Sequence, residues 1–161
     1  MNEIERLRHA IAYDPVNGEL RWKKTVNGRW AKAGERCGGL DAKGYRTLAL
    51  DGRQYKAHRV AWAIHYGVWP EGLIDHIDHN RTNNAIGNLR EATQAINSQN
   101  LVRAQARNRS GLLGVYPLHR KWGARIMANG TRMYLGSFDS PADAHQAYLS
   151  AKRRYHQGNT L

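Results

Sequence analysis

The fold is decided by the stretch LIDHIDHNRTNNAIGNLREATQAIN at residues 73–97. Its first part, Leu73–Ile77, suits a short strand, and Asn88–Ala92 can form the strand that returns beside it. A polar loop rich in asparagine joins the two. After Thr93, which can cap a helix, the sequence favours a helix over about residues 94–106. The stretch therefore predicts two short strands followed by a helix.

The same stretch brings together side chains with complementary chemistry. Asp75 and His76 place a carboxylate beside an imidazole at a strand end, although adjacent strand residues point to opposite faces unless the strand ends there. Asn97 falls on the helix that follows. A histidine can act as a base near neutral pH, and the oxygens of Asp and Asn suit Mg²⁺ or Mn²⁺. Phosphodiester hydrolysis needs such a base to activate water and a hard cation for the developing charge.

Four separated elements carry a resemblance to a known family: Asp75-His76-Ile77-Asp78, Asn83-Asn84, Asn88-Leu89-Arg90 and Asn97. In this order they resemble the HNH endonucleases, most closely the phage and intron-encoded homing type. The family folds this stretch as a two-stranded ribbon and a helix around one metal ion. The resemblance covers roughly residues 40–100. It implies that His76 is the general base, that Asp75 and Asn97 bind the metal, and that Asn88 orients His76.

Some assignments within this stretch stay open. Asn100 lies one helical turn beyond Asn97 and can share its face, so it is the rival metal ligand. Asparagines commonly cap turns, and a ligand role for His79 is an alternative to a loop position near phosphate. Loop or structural roles are expected for Asn80, Asn83, Asn84, His79 and His58.

The residues before this stretch predict a small framework. Ile4, Leu7 and Ile11 recur at helical spacing, which favours a helix over residues 2–12. Two strand candidates, Tyr45–Leu50 and Gln54–His58, flank Asp51-Gly52, which is a strong signal for a hairpin turn. A helix over residues 59–66 is expected to follow the hairpin.

The last third of the chain predicts a small sheet and one helix. Three strands are expected at Leu113–Leu118, Lys121–Ala128 and Thr131–Phe138. Ser140-Pro141 has the cap and the first-turn proline of a helix start, and this helix should run to about His156.

Within that region the segments GVY (114–116), WGARI (122–126), RMYLGSF (132–138) and ADAHQAY (142–148) resemble the DNA-binding domain of plant ethylene-response, or Apetala-type, factors. The resemblance implies a three-stranded antiparallel sheet that packs on one helix and lies in the DNA major groove. That family commonly has arginines at the positions of Tyr116, Leu118 and Met127. The resemblance therefore implies the fold and DNA binding but not the family's target sequence. The expected DNA contacts are Arg120, Lys121, Arg125, Arg132 and Tyr134.

Charge and composition limit the partners. The formal net charge is +12, and residues 101–161 hold ten Lys and Arg against two acidic residues. Such an excess favours a polyanion, although charge alone does not distinguish DNA from RNA or a membrane surface. The single cysteine, Cys37, excludes an internal disulfide and a multi-cysteine zinc site. No apolar run is long enough to span a membrane, and no signal-peptide pattern is present, so we expect a cytoplasmic protein that is not secreted.

These observations predict an α+β chain in three parts. A ββα-metal HNH nuclease domain is expected over residues 1–102 with its core motif at 73–101, a basic linker over 103–111, and the Apetala-type DNA-binding domain over 112–161. We expect a metal-dependent endonuclease of the phage homing type, in the host cytoplasm if a phage encodes it, that nicks or cuts double-stranded DNA with one Mg²⁺ or Mn²⁺ and no small-molecule cofactor. The alternative is a non-catalytic, sequence-specific DNA-binding protein on a dead nuclease fold. Whether the chain acts as a monomer or a dimer stays open.

Overall fold

In a computed structural model of the chain, the described residues are 1–26, 31–99, 101, 104 and 108–156. The chain divides into two compact units, Met1–Thr93 and Gln94–Leu161, which are called the first and the second unit below. The domain limits at 102, 103–111 and 112 remain predictions, and part of the expected linker lies outside the described residues.

The first unit begins with a capped helix and a two-stranded hairpin. Helix α1 (Glu3–Ala10) starts at Asn2, whose side-chain oxygen accepts a hydrogen bond from the Glu5 N–H at 2.8 Å. Glu5 Oε2 accepts one in return from the Asn2 N–H at 2.7 Å, so two otherwise unpaired N–H groups are satisfied. Strand β1 (Ile11–Tyr13) follows directly and pairs antiparallel with β2 (Leu20–Trp22).

A three-stranded antiparallel sheet and a second helix complete this framework. The strands are β3 (Gly39–Leu40), β4 (Arg46–Leu50) and β5 (Arg53–Lys56), in that spatial order. The predicted β4–β5 hairpin turns at Asp51 and Gly52, whose φ angles of 51° and 75° are the left-handed values that a tight hairpin requires. Helix α2 (Ala57–Tyr66) follows β5 and ends at Gly67, which is also left-handed.

The core of the first unit anchors the strand pair that holds the decisive stretch. Buried apolar side chains from both helices and from five of its strands form this core: Leu7, Ile11, Leu20, Trp22, Leu48, Val60, Ile74 and Leu89. Each contributes about 1.5–3 kcal/mol by leaving water. The last two belong to β6 (Leu73–His76) and β7 (Leu89–Ala92). These strands run antiparallel, with Asp75 opposite Arg90 and His76 opposite Leu89.

The second unit holds five further elements: α3 (Gln94–Gln99), β8 (Val115–Leu118), β9 (Lys121–Ala128), β10 (Thr131–Phe138) and α4 (Pro141–Tyr155). The strands form an antiparallel sheet with β9 in the centre. Helix α4 starts at Ser140, whose hydroxyl oxygen accepts a hydrogen bond from the Asp143 N–H at 3.1 Å. The helix packs on one face of the sheet, where Val115, Ala124 and Ile126 meet Ala144, Tyr148 and Ala151.

One glycine allows this helix to approach the sheet closely. Gly114 has a φ of 75°, and a Cβ there would lie 2.0 Å from the Tyr148 ring. Only glycine fits both the backbone conformation and the space at this point.

The expectation of a mixed helix-and-strand chain with small antiparallel sheets is confirmed. The ββα arrangement of β6, β7 and α3 around a metal ion stays a prediction, because α3 belongs to the second unit whereas β6 and β7 belong to the first. Among the described residues, no helix combines the length and the apolar character that crossing a membrane would require.

Candidate active site

Strand β6 buries a carboxylate and an imidazole at consecutive positions, Asp75 and His76. Asp75 is 6% exposed and His76 is 4% exposed. The Asp75 carboxylate is held from the neighbouring strand, because Nε and Nη2 of Arg90 both donate to Oδ2, at 3.0 and 2.8 Å. A buried charge of this kind is tolerated only when it is paired. The cross-strand register of β6 and β7 therefore fixes the position of the carboxylate.

The ring of His76 is oriented by Asn84. Nε2 of His76 lies 3.2 Å from the side-chain oxygen of Asn84, which is 1% exposed. Because an amide oxygen only accepts, the proton of the neutral ring is on Nε2 in this arrangement. Nδ1 then carries the basic lone pair. A loop or structural role is all that the sequence predicts for Asn84, so sequence reasoning missed its contact with His76.

Asn84 is itself held by the hairpin at the start of the chain. Its carbonyl oxygen accepts a hydrogen bond from the Tyr13 hydroxyl at 2.8 Å, and burial raises the pKa of that hydroxyl to about 12. The β1–β2 turn packs against the same segment at Gly18, where a Cβ would lie 2.4 Å from the Asn84 carbonyl carbon and 2.2 Å from the Ala85 nitrogen. The Ile86 N–H also donates to the Pro15 carbonyl at 2.9 Å.

Asn88 closes the loop between β6 and β7. Its Oδ1 accepts from the Asp78 N–H at 2.9 Å, and its Nδ2 donates to Asp78 Oδ1 and to the Asn83 carbonyl, both at 2.8 Å. Burial alone would raise the pKa of Asp78, but hydrogen bonds from Asn83, Asn80 and Asn88 outweigh it and lower that pKa. The orienting role predicted for Asn88 stays a prediction, and the contacts of Asn88 hold the loop that contains Asn84.

Two further rings surround His76. The His58 ring lies edge-on to it with centroids 5.2 Å apart, and the Tyr45 ring lies 6.0 Å from it. Burial lowers the pKa of His58 to about 3, and the neighbouring His76 and Arg59 add to this effect. Burial also lowers the pKa of His76, against the opposing effects of Asn84, Asp78 and Asp75. The imidazole rings of His58 and His76 are therefore both neutral at pH 7. A neutral imidazole is the form that can accept a proton.

The oxygen donors expected to bind a metal are compatible with a hard divalent cation. The carboxylate of Asp75, which Arg90 holds through Oδ2, is an oxygen donor of the kind that hard divalent cations prefer. Asn97 lies on α3 in the second unit and offers an amide oxygen. The rival, Asn100, lies outside the described residues. Within the described residues, no three His, Cys, Asp or Glu side chains cluster as a metal site.

His79 lies in the loop after β6 with a left-handed backbone, at φ 63°. Its ligand role stays a hypothesis.

In the second unit the predicted DNA contacts lie on the sheet face opposite α4. Arg125 is paired with Tyr134 and Met127 with Arg132, so these four side chains share one face. Tyr134 is 59% exposed and Met127 is 52% exposed. The Arg125 guanidinium lies 4.8 Å from the centroid of the Tyr116 ring.

The other two predicted contacts lie at the edge of this face. Lys121 starts β9 on the same side as Arg125, and its Nζ lies 3.1 Å from the exposed carboxylate of Asp139. Arg120 lies in the β8–β9 turn, next to His119 with a φ of 50°. Four of the five residues therefore share one strand face, and Arg120 flanks it.

Comparisons with known proteins bear on the first unit most directly. No curated protein matches the chain. A solved structure described as "DNA binding and cleavage by the HNH homing endonuclease I-HmuI" is 22% identical, with a TM-score of 0.44, over 98% of this chain and 93% of that chain. Residues 55–99 match the family model described as HNH endonuclease. The segment that contains Asp75, His76, Asn88 and Asn97 is therefore similar to the HNH endonucleases.

Proposed function

We propose that this chain is a metal-dependent DNA endonuclease of the HNH type, which hydrolyses phosphodiester bonds in double-stranded DNA. The observation that carries the proposal is the buried His76 ring, whose Nε2 lies against the Asn84 side-chain oxygen and which follows a carboxylate paired with Arg90. These residues lie inside the segment that matches the HNH endonuclease family.

His76 acts as the general base in the proposed reaction. Its Nδ1 removes a proton from a water molecule, and the water oxygen forms a bond to the scissile phosphorus. The bond from phosphorus to the 3′ oxygen breaks, and the leaving oxygen takes a proton from solvent. The products carry a 5′ phosphate and a 3′ hydroxyl. The contact of Nε2 with Asn84 keeps Nδ1 unprotonated before the step.

Asp75 and Asn97 would hold the divalent cation, Mg²⁺ or Mn²⁺, with Asn100 as the alternative to Asn97. When bound, the cation supplies positive charge for the negative charge that develops on the phosphate and the leaving oxygen. Arg90 keeps the Asp75 carboxylate in one orientation. Asn88 acts on His76 indirectly, because its hydrogen bonds hold the loop that contains Asn84.

The second unit is proposed to bind duplex DNA as an Apetala-type domain. Its support is the exposed face with Arg125, Arg132 and Tyr134, flanked by Arg120 and Lys121. Arginine can bind guanine edges with two hydrogen bonds or hold phosphate. Tethering this face to the nuclease unit raises the local concentration of DNA at His76.

One metal site per chain predicts that a monomer nicks DNA and that a dimer can cut both strands. The phage homing type and a cytoplasmic location, in the host if a phage encodes the chain, belong to the same proposal.

Cleavage of supercoiled plasmid tests the proposal. Wild-type protein should cleave with Mg²⁺ or Mn²⁺ and be inactive in EDTA, and mapped ends should carry 5′ phosphates. Asp75→Asn should lose cleavage because a charged ligand is removed. Asp51→Asn is the matched control, since Asp51 lies in an exposed turn where asparagine also tolerates the positive φ. Equal cleavage in EDTA and Mg²⁺ would contradict the proposal.

A second candidate function is sequence-specific DNA binding without catalysis. The exposed arginine and tyrosine face of the second unit favours it, because that face is suited to bind DNA whether or not the first unit cleaves. Under this hypothesis the wild-type protein binds duplex DNA but leaves plasmid intact with every divalent cation, and Asp75→Ala binds equally well.

A further inference from the structure

Arg81 is an exposed cation held in one place. It lies in the loop between β6 and β7, five residues after His76. Its Nη1 donates to the Lys43 carbonyl oxygen at 2.5 Å, and its guanidinium carbon lies 4.8 Å from the centroid of the Tyr45 ring. A long side chain on a surface loop normally samples many rotamers, whereas these two contacts select one.

Tyr45 places this cation next to the candidate base. The Tyr45 ring lies 6.0 Å from the His76 ring and 5.3 Å from the His58 ring. The backbone of Tyr45 is fixed on both sides by Asp41, whose Oδ1 accepts from the Tyr45 N–H at 2.9 Å and whose N–H donates to the Tyr45 carbonyl at 2.8 Å. A single aromatic ring therefore connects the guanidinium of Arg81 with the imidazole of His76.

The charge of Arg81 is not compensated in the described structure. Lys56 also lies near the Tyr45 ring, at 5.6 Å, but its ammonium group is paired with the Asp41 carboxylate. Over the described residues, no carboxylate lies within ion-pair distance of Arg81. A guanidinium has five N–H donors, and Lys43 takes one of them. Several donors thus remain for an external anion.

A purely structural arginine would be expected to be buried or to pair with a carboxylate. Arg90, on the neighbouring strand, shows that pattern in its pairing with Asp75. Arg81 does not show this pattern. Its side chain is exposed, and it pairs with no carboxylate among the described residues.

We propose that Arg81 binds a backbone phosphate of duplex DNA beside His76, with its guanidinium donating to the non-bridging oxygens and the Tyr45 ring holding it in position. The inference rests on the proposed function in one respect, that His76 faces the scissile strand. It adds a substrate-binding residue to the first unit, separate from the sheet face of the second unit. Planar guanidinium groups suit phosphate geometry better than ammonium groups, so lysine should replace Arg81 only in part.

The first test measures DNA affinity of the full chain in EDTA at several salt concentrations, by fluorescence anisotropy of a labelled duplex. Losing one phosphate contact should make the slope of log affinity against log salt shallower by about 0.9 in Arg81→Gln. The matched control is Arg53→Gln, since Arg53 is an exposed arginine of the same unit that pairs with Glu3. This control should keep the wild-type slope.

The second test measures single-turnover plasmid cleavage with Mg²⁺. Arg81→Gln should be slower by about tenfold or more, Arg81→Lys should fall between it and wild type, and Arg53→Gln should match wild type. The inference is overturned if wild type cleaves and Arg81→Gln keeps both the wild-type rate and the wild-type slope. If wild type never cleaves but Arg81→Gln still has the shallower slope, the phosphate contact stands and the proposed nuclease function fails.

Discussion

The chemistry of single residues in the first unit depends on what His76 contacts. Asn84 holds the ring through Nε2, and the rings of His58 and Tyr45 lie beside it. Because burial lowers the pKa of His76, the ring stays neutral to a lower pH than an exposed histidine. Cleavage that needs neutral His76 should therefore lose its rate only as the pH falls below the ordinary histidine value of 6.5.

Asn84→Ala tests this contact. The change leaves a buried N–H without its acceptor and removes the preference for the Nε2 proton, so cleavage should slow by about tenfold and stability should fall by about 1–3 kcal/mol. Asn84→Asp adds a negative charge that raises the pKa of His76, so the acidic limb of the rate profile should move to higher pH.

Asn2→Ala is the control for lost stability. It removes the cap of α1 at a cost of about 1 kcal/mol, without touching His76, and should cleave at the wild-type rate. An Asn84→Ala protein with the wild-type rate and pH profile would show that Asn84 has no positioning role.

His58 makes stability depend on pH. Unfolded, it binds a proton near pH 6.5, whereas in the folded protein its pKa is about 3. The contribution of neutral His58 to the free energy of unfolding is therefore complete above pH 6.5. It declines as the pH falls from 6.5 towards 3, because the unfolded chain binds the proton more readily than the folded protein. Between pH 7.5 and pH 5, wild type should lose about 2 kcal/mol more unfolding free energy than His58→Gln, as measured by urea denaturation at each pH. Equal losses in the two proteins would contradict the buried, neutral state of His58.

Sequence reasoning singled out Asp75 and His76 as candidates but missed the contact of Asn84 with His76. An asparagine in an asparagine-rich loop has the same local signature whether it caps a turn or supports a ring. The difference lies in burial, and Asn84 is buried by the turn at Gly18, far away in the chain. No local pattern contains that information.

Among the elements, the β1–β2 hairpin supports the candidate site from a distance. Its turn packs on the backbone of Asn84 and Ala85, and the Tyr13 hydroxyl binds the Asn84 carbonyl. The proposed catalytic and metal-binding residues all lie outside this hairpin. Its effect on His76 therefore passes through the position of Asn84.

Gly18→Ala tests this support, with Gly34→Ala as the matched control. Both glycines are left-handed, with φ of 75° and 83°, so each alanine should cost about 1–2 kcal/mol in backbone strain. A Cβ at Gly18 also collides with the backbone at 2.2 Å, whereas nothing lies within 4 Å of one at Gly34. Gly18→Ala should thus lose more stability in thermal unfolding and slow cleavage, and Gly34→Ala should lose only stability. Similar results for the two would contradict the proposed support.

The sequence predicted an element correctly where neighbouring residues determine it. It failed where pairing with a distant strand determines the conformation. The Asp51-Gly52 turn is present because both residues can adopt positive φ. The helix predicted over residues 2–12 ends at Ala10, because Ile11 pairs with Trp22 as a strand residue. Ile11 is buried as a strand residue, and an apolar residue at helical spacing is equally expected to face the core, so that spacing alone could not exclude the strand.

At the scale of the whole molecule, positive charge and candidate chemistry lie in different parts of the chain. The excess of Lys and Arg is concentrated in residues 101–161, whereas Asp75 and His76 belong to the first unit. The sequence could predict this division, because charge counts need no structure. The sequence could not predict that α3 belongs to the second unit, because the boundary between the units depends on contacts between distant residues.

Replacing both Arg125 and Arg132 by Gln should weaken DNA binding without changing the chemical step. Two lost phosphate contacts would make the salt slope of affinity shallower by about 1.8, and the single-turnover rate at saturating DNA should match wild type. Arg6→Gln, a change of an exposed arginine on α1, is the control and should keep the wild-type slope. An unchanged slope in the double variant would show that this sheet face does not bind DNA backbone.

The most direct test of the central claim is the single-turnover rate of plasmid cleavage in Mg²⁺ for wild type, His76→Ala and His65→Ala. His65 is an exposed histidine on α2, so it controls for the loss of an imidazole elsewhere in the first unit. If His76 is the general base, wild type and His65→Ala should cleave at the same rate, and His76→Ala should be slower by about 10²–10⁴-fold. Cleavage by His76→Ala at the wild-type rate would contradict the account.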